Sequence, residues 1–136
     1  MVSSQLASER PLILVVDDEP AWLLLYEAIL SGDGMEVVTA AGAKEGLTLL
    51  AANNISLLLT DYEMPEMNGH ELAERLRDSH PHLAIVMTSG GSVPEPVRNS
   101  VDAFLPKAEC VRRIRETIKQ LLSQRDGRSP FRPTAR

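Results

Sequence analysis

The chain has a single cysteine, Cys110, among its 136 residues. An internal disulfide is therefore excluded, and a reducing compartment is expected. Aromatic residues make up only 4%, so a core has to be built from Leu, Ile, Val, Met and Ala, for which a hydrophobic content of 43% suffices. No apolar run approaches the roughly 20 residues that cross a bilayer. The opening segment MVSSQLASER lacks a basic stretch followed by an apolar one, so no secretion signal is expected. Together these absences predict a cytoplasmic protein without a membrane association. Positive charge is also short: the net charge is −5, which argues against nucleic acid as a partner, because phosphate backbones call for a basic face. The segment ILVVDDE resembles an apolar strand ending in a Mg2+-binding acidic pair, but no G-x-x-x-x-G-K-[ST] loop accompanies it. A nucleotide hydrolase of that type is set aside.

What is present is an alternation of strand and helix signals. Residues 11–16 (PLILVV), 35–40, 55–60, 83–89 and 100–106 read as short apolar strands. Between and after them, residues 19–30, 42–53, 70–79 and 109–124 have helical length and periodicity. The second helix is apolar at Ala43, Leu47 and Leu50, the third at Leu72 and Leu76, and the last at Val111, Ile114, Ile118, Leu121 and Leu122. This order predicts one α/β domain over residues 11–123, with a parallel sheet covered by helices on both faces. Residues 1–10 and the Pro-, Gly- and Arg-rich segment 124–136 are expected to be flexible. His70, His80 and His82 are expected on the solvated surface, and Cys110 as an inert helix residue.

In an open parallel sheet, chemistry gathers beyond the carboxyl ends of the strands. There the first strand ends in Asp17 and Asp18, the third in Asp61, the fourth in Ser89 with Thr88 beside it, and the fifth in Lys107. Three carboxylates on one edge repel one another unless a cation intervenes. Oxygen ligands without paired His or a second Cys favour a hard cation, with Mg2+ the natural choice. A divalent cation, an ammonium and a hydroxyl suit a phosphoryl group, and a carboxylate is a competent nucleophile toward one.

The segments LILVVDDEP, LLLTDYEMPEMNGHEL, AIVMTSG and DAFLPK carry a likeness to a family. The chain resembles the receiver domains of two-component response regulators over about residues 11–123. The acidic pair stands 43 residues before Asp61 and Lys107 stands 46 after it, near the family's spacing. The resemblance implies a flavodoxin-like, doubly wound five-stranded parallel sheet in the order 2-1-3-4-5. It implies Asp61 as phosphoacceptor, taking its phosphoryl group from a histidine kinase or histidine phosphotransfer protein. It implies Mg2+ held by Asp18 directly, by Asp17 through water, by Asp61, and by the backbone carbonyl of Glu63. Lys107 would pair with the acyl phosphate, and Ser89 rather than Thr88 would close on its oxygens. Phe104 would be the switch aromatic, acting through packing because it has no hydroxyl. The expected protein is a phosphorylatable switch rather than a turnover enzyme, a monomer or weak homodimer whose output is contact with another, unknown protein. The rival is a pseudo-receiver, a phosphorylation-independent interaction module.

Two departures from the family pattern stand out. Ala108 follows Lys107 where the family usually has a proline with a cis bond. A non-proline cis bond costs about 3–4 kcal/mol, so a trans bond and some shift of the following loop are expected. Only 17 residues separate Ser89 from Lys107, and Pro94 and Pro96 fall among them, so the fourth helix should be short or irregular. The first helix is also over-supplied with apolar residues. Trp22, Leu25 and Ile29 are expected as one inward stripe, and Leu23, Tyr26 and Leu30 as a second, with any surplus available to a partner helix.

Overall fold

The computed structural model describes residues 10–126. Within them ten elements alternate: β1 (Leu12–Val16), α1 (Pro20–Ser31), β2 (Glu36–Ala40), α2 (Ala43–Ala52), β3 (Leu57–Asp61), α3 (Gly69–Ser79), β4 (Ala84–Ser89), α4 (Glu95–Arg98), β5 (Ala103–Pro106) and α5 (Lys107–Asp126). The five strands form one parallel sheet in the order β2-β1-β3-β4-β5, as expected. The expected flexible segments lie largely outside the described residues, although α5 continues through residues 124–126.

The period-two geometry of a strand sends successive side chains to opposite faces, and the core divides accordingly. Ile13, Val15, Leu57, Leu59, Ala84, Val86 and Leu105 face α1 and α5, packing against Tyr26, Leu30, Cys110, Ile114 and Ile118. Leu14, Val16, Leu58, Ile85 and Met87 face the other way, against Ala43 and Leu50 of α2, Leu72, Ala73 and Leu76 of α3, and Val97 of α4. Because both faces are covered, the inner strands β1, β3 and β4 are apolar up to the polar residues at their carboxyl ends.

Several boundaries move. β3 begins at Leu57 and includes Asp61 as its last residue. α3 begins at Gly69 because Asn68 caps it: the Glu71 N–H donates to Asn68 Oδ1, and the Asn68 N–H donates to Glu71 Oε1, each at 2.9 Å. α4 is a single turn of four residues, with Pro94 as its N-cap and Pro96 inside its first turn. The Lys107–Ala108 bond is trans, as expected. The expected loop after Lys107 is absent, since α5 starts at Lys107 itself.

The apolar surplus of α1 is also redistributed. Leu25, expected to point inward, is 38% exposed, and Leu24, assigned to neither stripe, is 69% exposed. Leu23 is half-buried against the core, so it is no free docking residue. Val111 of α5 is 45% exposed, while its neighbour Cys110 takes the buried position. A helix turns 100° per residue, so a run such as LLLY cannot all face one sheet. The bulky Tyr26 takes the inward place and rotates Leu24 and Leu25 outward.

Candidate phosphoryl and metal site

The carboxyl ends of β1, β3 and β5 converge as their sequence positions predict. Asp17 and Asp61 are buried, at 1% and 4% exposure, and Asp18 is exposed beside them. One oxygen from each of the three carboxylates lies within 4.8 Å of the other two. Lys107 enters from the start of α5, its Nζ 2.9 Å from Asp17 Oδ2, 3.5 Å from Asp61 Oδ2 and 3.9 Å from Glu19 Oε1. Asp17 is held further by the Glu19 N–H, which donates to its Oδ1 at 2.9 Å.

The electrostatics follow from this packing. Burial, and then the negative charge of Asp17, push the Asp61 carboxyl up from 3.8 to about 6, against the pull of Lys107 and the Glu63 N–H. Burial by itself would lower the Lys107 pKa. The hydrogen bond and charge of Asp17, with the charges of Asp61 and Glu19, outweigh it, so the amine is held above its ordinary value and remains an ammonium.

Asp61 Oδ1 is buried without a hydrogen-bond partner. A buried carboxylate oxygen left bare is costly, and here it belongs to a cluster of three carboxylates that one ammonium cannot neutralise. Hard oxygen donors, an excess of negative charge and an orphaned oxygen fit a divalent cation such as Mg2+. Glu63 lies exposed in the loop two residues past Asp61, close enough in sequence for its carbonyl to join that donor set.

That loop is shaped by Gly69. Its N–H donates to the Tyr62 carbonyl at 2.9 Å, folding the segment back over the end of β3. A Cβ on Gly69 would overlap the Asp61 carbonyl oxygen, so only glycine allows α3 to start this close to the site.

The two candidate hydroxyls sit differently. Ser89 is buried at the end of β4. Its Oγ accepts from the Gly91 N–H at 3.0 Å and donates to the Gly91 carbonyl at 3.2 Å. Thr88 is the residue in register with Asp61 across the β3–β4 pair. Its Oγ1 is buried and makes no hydrogen bond of ordinary geometry. Phe104 is half-buried, in register with Met87 of β4, and packs on the α2–α4 side of the sheet.

Three neighbours of the site were not among the expected site residues. Glu19 adds a fourth carboxylate. The Trp22 ring lies under Lys107, with Nζ 4.8 Å from its centroid, and Trp22 stacks on Tyr26 at 5.5 Å and 29°. The available signal was position: Trp22 lies in the first turn of α1, which starts at the strand end that carries Asp17 and Asp18. Gly69 is the residue that lets the loop close over the site.

Comparison with known proteins places this geometry in context. The family described as "Response regulator receiver domain" matches residues 13–119. Over 116 residues the chain is 33% identical to the transcriptional regulatory protein GlrR of Escherichia coli (strain K12), a match covering 82% of this chain and 26% of GlrR. The chain thus spans about a quarter of that relative's length. A response regulator receiver domain protein (CheY-like) from Methanospirillum hungatei JF-1 superimposes with a TM-score of 0.82 at 33% identity, covering 87% of this chain and 98% of that one. The response regulator protein TrrA from Thermotoga maritima, in complex with Mg(2+)-BeF, gives a TM-score of 0.76 at 29% identity, covering 82% and 98% of the two chains.

Proposed function

The chain belongs to the response regulator receiver family, and on that premise we propose that it takes a phosphoryl group onto Asp61 from a phosphohistidine of a histidine kinase or phosphotransfer protein. The observation that carries this reading is the bare, buried Asp61 Oδ1 beside Asp17, Asp18 and Lys107.

In this reading an ionised Asp61 oxygen attacks the donor's phosphorus. The new O–P bond forms as the P–N bond breaks, and the donor ring, already protonated on its other nitrogen, takes that electron pair and leaves as neutral imidazole. Near neutral pH Asp61 is mostly ionised, since its pKa is about 6. Lys107, already 3.5 Å from Asp61, pairs with the phosphoryl oxygens. Asp17, Asp18, Asp61 and the Glu63 carbonyl would hold Mg2+, which when bound supplies the charge that screens carboxylates and phosphoryl oxygens from one another. The protein is then a switch that assists its own phosphorylation and dephosphorylation, and its output is a protein–protein contact.

Ser89 is the hydroxyl that the resemblance assigns to the phosphoryl oxygens. A second reading, Thr88, is favoured by its register with Asp61 and by the hydrogen bonds that already occupy Ser89. Phe104 would pass the change to the surface around β5 and the one-turn α4.

The deciding experiment adds Mg2+ and acetyl phosphate and measures intact mass, in wild type and in Asp61→Asn. A gain of one phosphoryl group in wild type alone is expected. A gain that persists in Asp61→Asn moves the acceptor elsewhere. The absence of both a mass gain and Mg2+ binding in wild type favours the pseudo-receiver.

A further inference from the structure

We propose that Trp22 is a positioning residue for Lys107, an aromatic seat that fixes where the ammonium stands relative to Asp61. The inference rests on the phosphoacceptor reading above and assigns a role to a side chain outside the acidic cluster. Lys107 is the first residue of α5 and follows β5 without a connecting loop. Its side chain therefore has to cross from the helix start to the carboxylates, and its aim is set by what it leans on. On one side it has Asp17 at 2.9 Å, and beneath it the Trp22 ring at 4.8 Å. A cation over an indole face is attracted by the ring quadrupole, and the contact strengthens as water is excluded. Only 11% of the lysine side chain is exposed.

The ring is in turn held from behind. Trp22 stacks on Tyr26 at 5.5 Å, and Tyr26 is fully buried between the sheet and α5. The chain of contacts runs from a rigid core tyrosine through a half-buried tryptophan to the ammonium. Attraction to the carboxylates alone would let the ammonium settle on the exposed Asp18 or Glu19. The ring adds a preference for the inner position facing both Asp17 and Asp61.

The test uses the full 136-residue chain in Trp22→Leu and Trp22→Phe forms. In Mg2+-free, unphosphorylated protein, the Lys107 ε-methylene protons should be shifted upfield by the indole ring current. Trp22→Leu should remove that shift, and Trp22→Phe should keep part of it. With Mg2+ and acetyl phosphate, Trp22→Leu should be phosphorylated roughly fivefold more slowly, the scale of one partly desolvated cation–π contact. Trp22→Phe should recover most of the rate. An unshifted wild-type methylene overturns the proposal, as does a Trp22→Leu protein that loses the shift and keeps the wild-type rate. Equal slowing in Leu and Phe variants, with equal losses in melting temperature, also overturns it and leaves a purely structural tryptophan. If wild type takes no phosphoryl group at all, the acceptor reading fails and with it the role assigned to the seat, while the methylene shift still reports whether the contact exists.

Discussion

Lys107 stands closer to Asp17, at 2.9 Å, than to the acceptor Asp61, at 3.5 Å. The lysine's first partner is thus the carboxylate of the acidic pair that lies deepest, and Asp61 keeps one oxygen bare. Among the described residues, the site is held together by a single cation among three carboxylates that can share a metal and the further acid Glu19, and most of its behaviour should follow from that imbalance.

Removing the lysine should separate stability from metal affinity. Lys107→Ala strands Asp17 as a buried, uncompensated charge, and breaking such a pair costs about 3 kcal/mol. The same change removes a competing positive charge, so Mg2+ should bind more tightly than in wild type. Urea denaturation without metal, and Mg2+ titration followed calorimetrically, check the two halves. A variant that loses stability and binds Mg2+ more weakly would contradict the assignment of Lys107 as the cation that shares these carboxylates.

Asp61→Asn should stabilise the metal-free protein at neutral pH. The folded-state pKa of Asp61, about 6, lies above its ordinary 3.8, so the folded protein binds that proton more tightly than the unfolded chain. The resulting stability is complete below about pH 4 and is lost as pH rises through 6. Asparagine removes the charge, and the gain at pH 7 should be on the order of 3 kcal/mol. The difference between variant and wild type should shrink toward pH 4, which separates Asp61 from the other carboxylates. Adding Mg2+ should narrow the gap at pH 7 by stabilising wild type selectively.

Gly69→Ala should damage the site from behind. Its Cβ would overlap the Asp61 carbonyl, and forced overpacking costs about 1–3 kcal/mol. Because the backbone that must yield is that of Asp61, phosphorylation by acetyl phosphate should slow along with the loss of melting temperature. A variant destabilised to this extent yet phosphorylated at the wild-type rate would show that the strain is relieved on the α3 side.

The two hydroxyls are separable by deletion. If Thr88 serves the phosphoryl group, Thr88→Val should slow phosphorylation by roughly tenfold or more, the scale of a lost hydrogen bond to charge. Ser89→Ala should then disturb mainly the Gly91 turn and cost little in rate. The reverse ranking in acetyl phosphate kinetics restores Ser89 to the role.

Much of this was legible from one dimension. The apolar runs at 11–16, 55–60 and 83–89 read as strands, and the intervening helical periods made the sheet parallel. Because a parallel sheet puts every strand's carboxyl end on one edge, Asp17, Asp18, Asp61 and Lys107 were located as soon as the strand ends were. What could not be read was rotation and depth. Leu24 and Leu25 look as apolar as Leu23, and only the packing of Tyr26 decides which faces water. Ser89 and Thr88 are adjacent, and only the register with Asp61 and the hydrogen bonds that Ser89 makes to Gly91 distinguish them.

Which groups meet was readable in one dimension, because strand ends follow from hydrophobic periodicity and a parallel sheet gathers them on one edge; the strand order came only from the family resemblance. Tertiary structure alone decided how they meet: Lys107 on Asp17 before Asp61, Trp22 beneath the ammonium, Gly69 against the acceptor's carbonyl, and α5 opening on the lysine itself. Those relations depend on which face each helix turns to the sheet and how closely two backbones approach. Both are set by the mutual packing of side chains distant in the chain, which no local pattern of residues encodes.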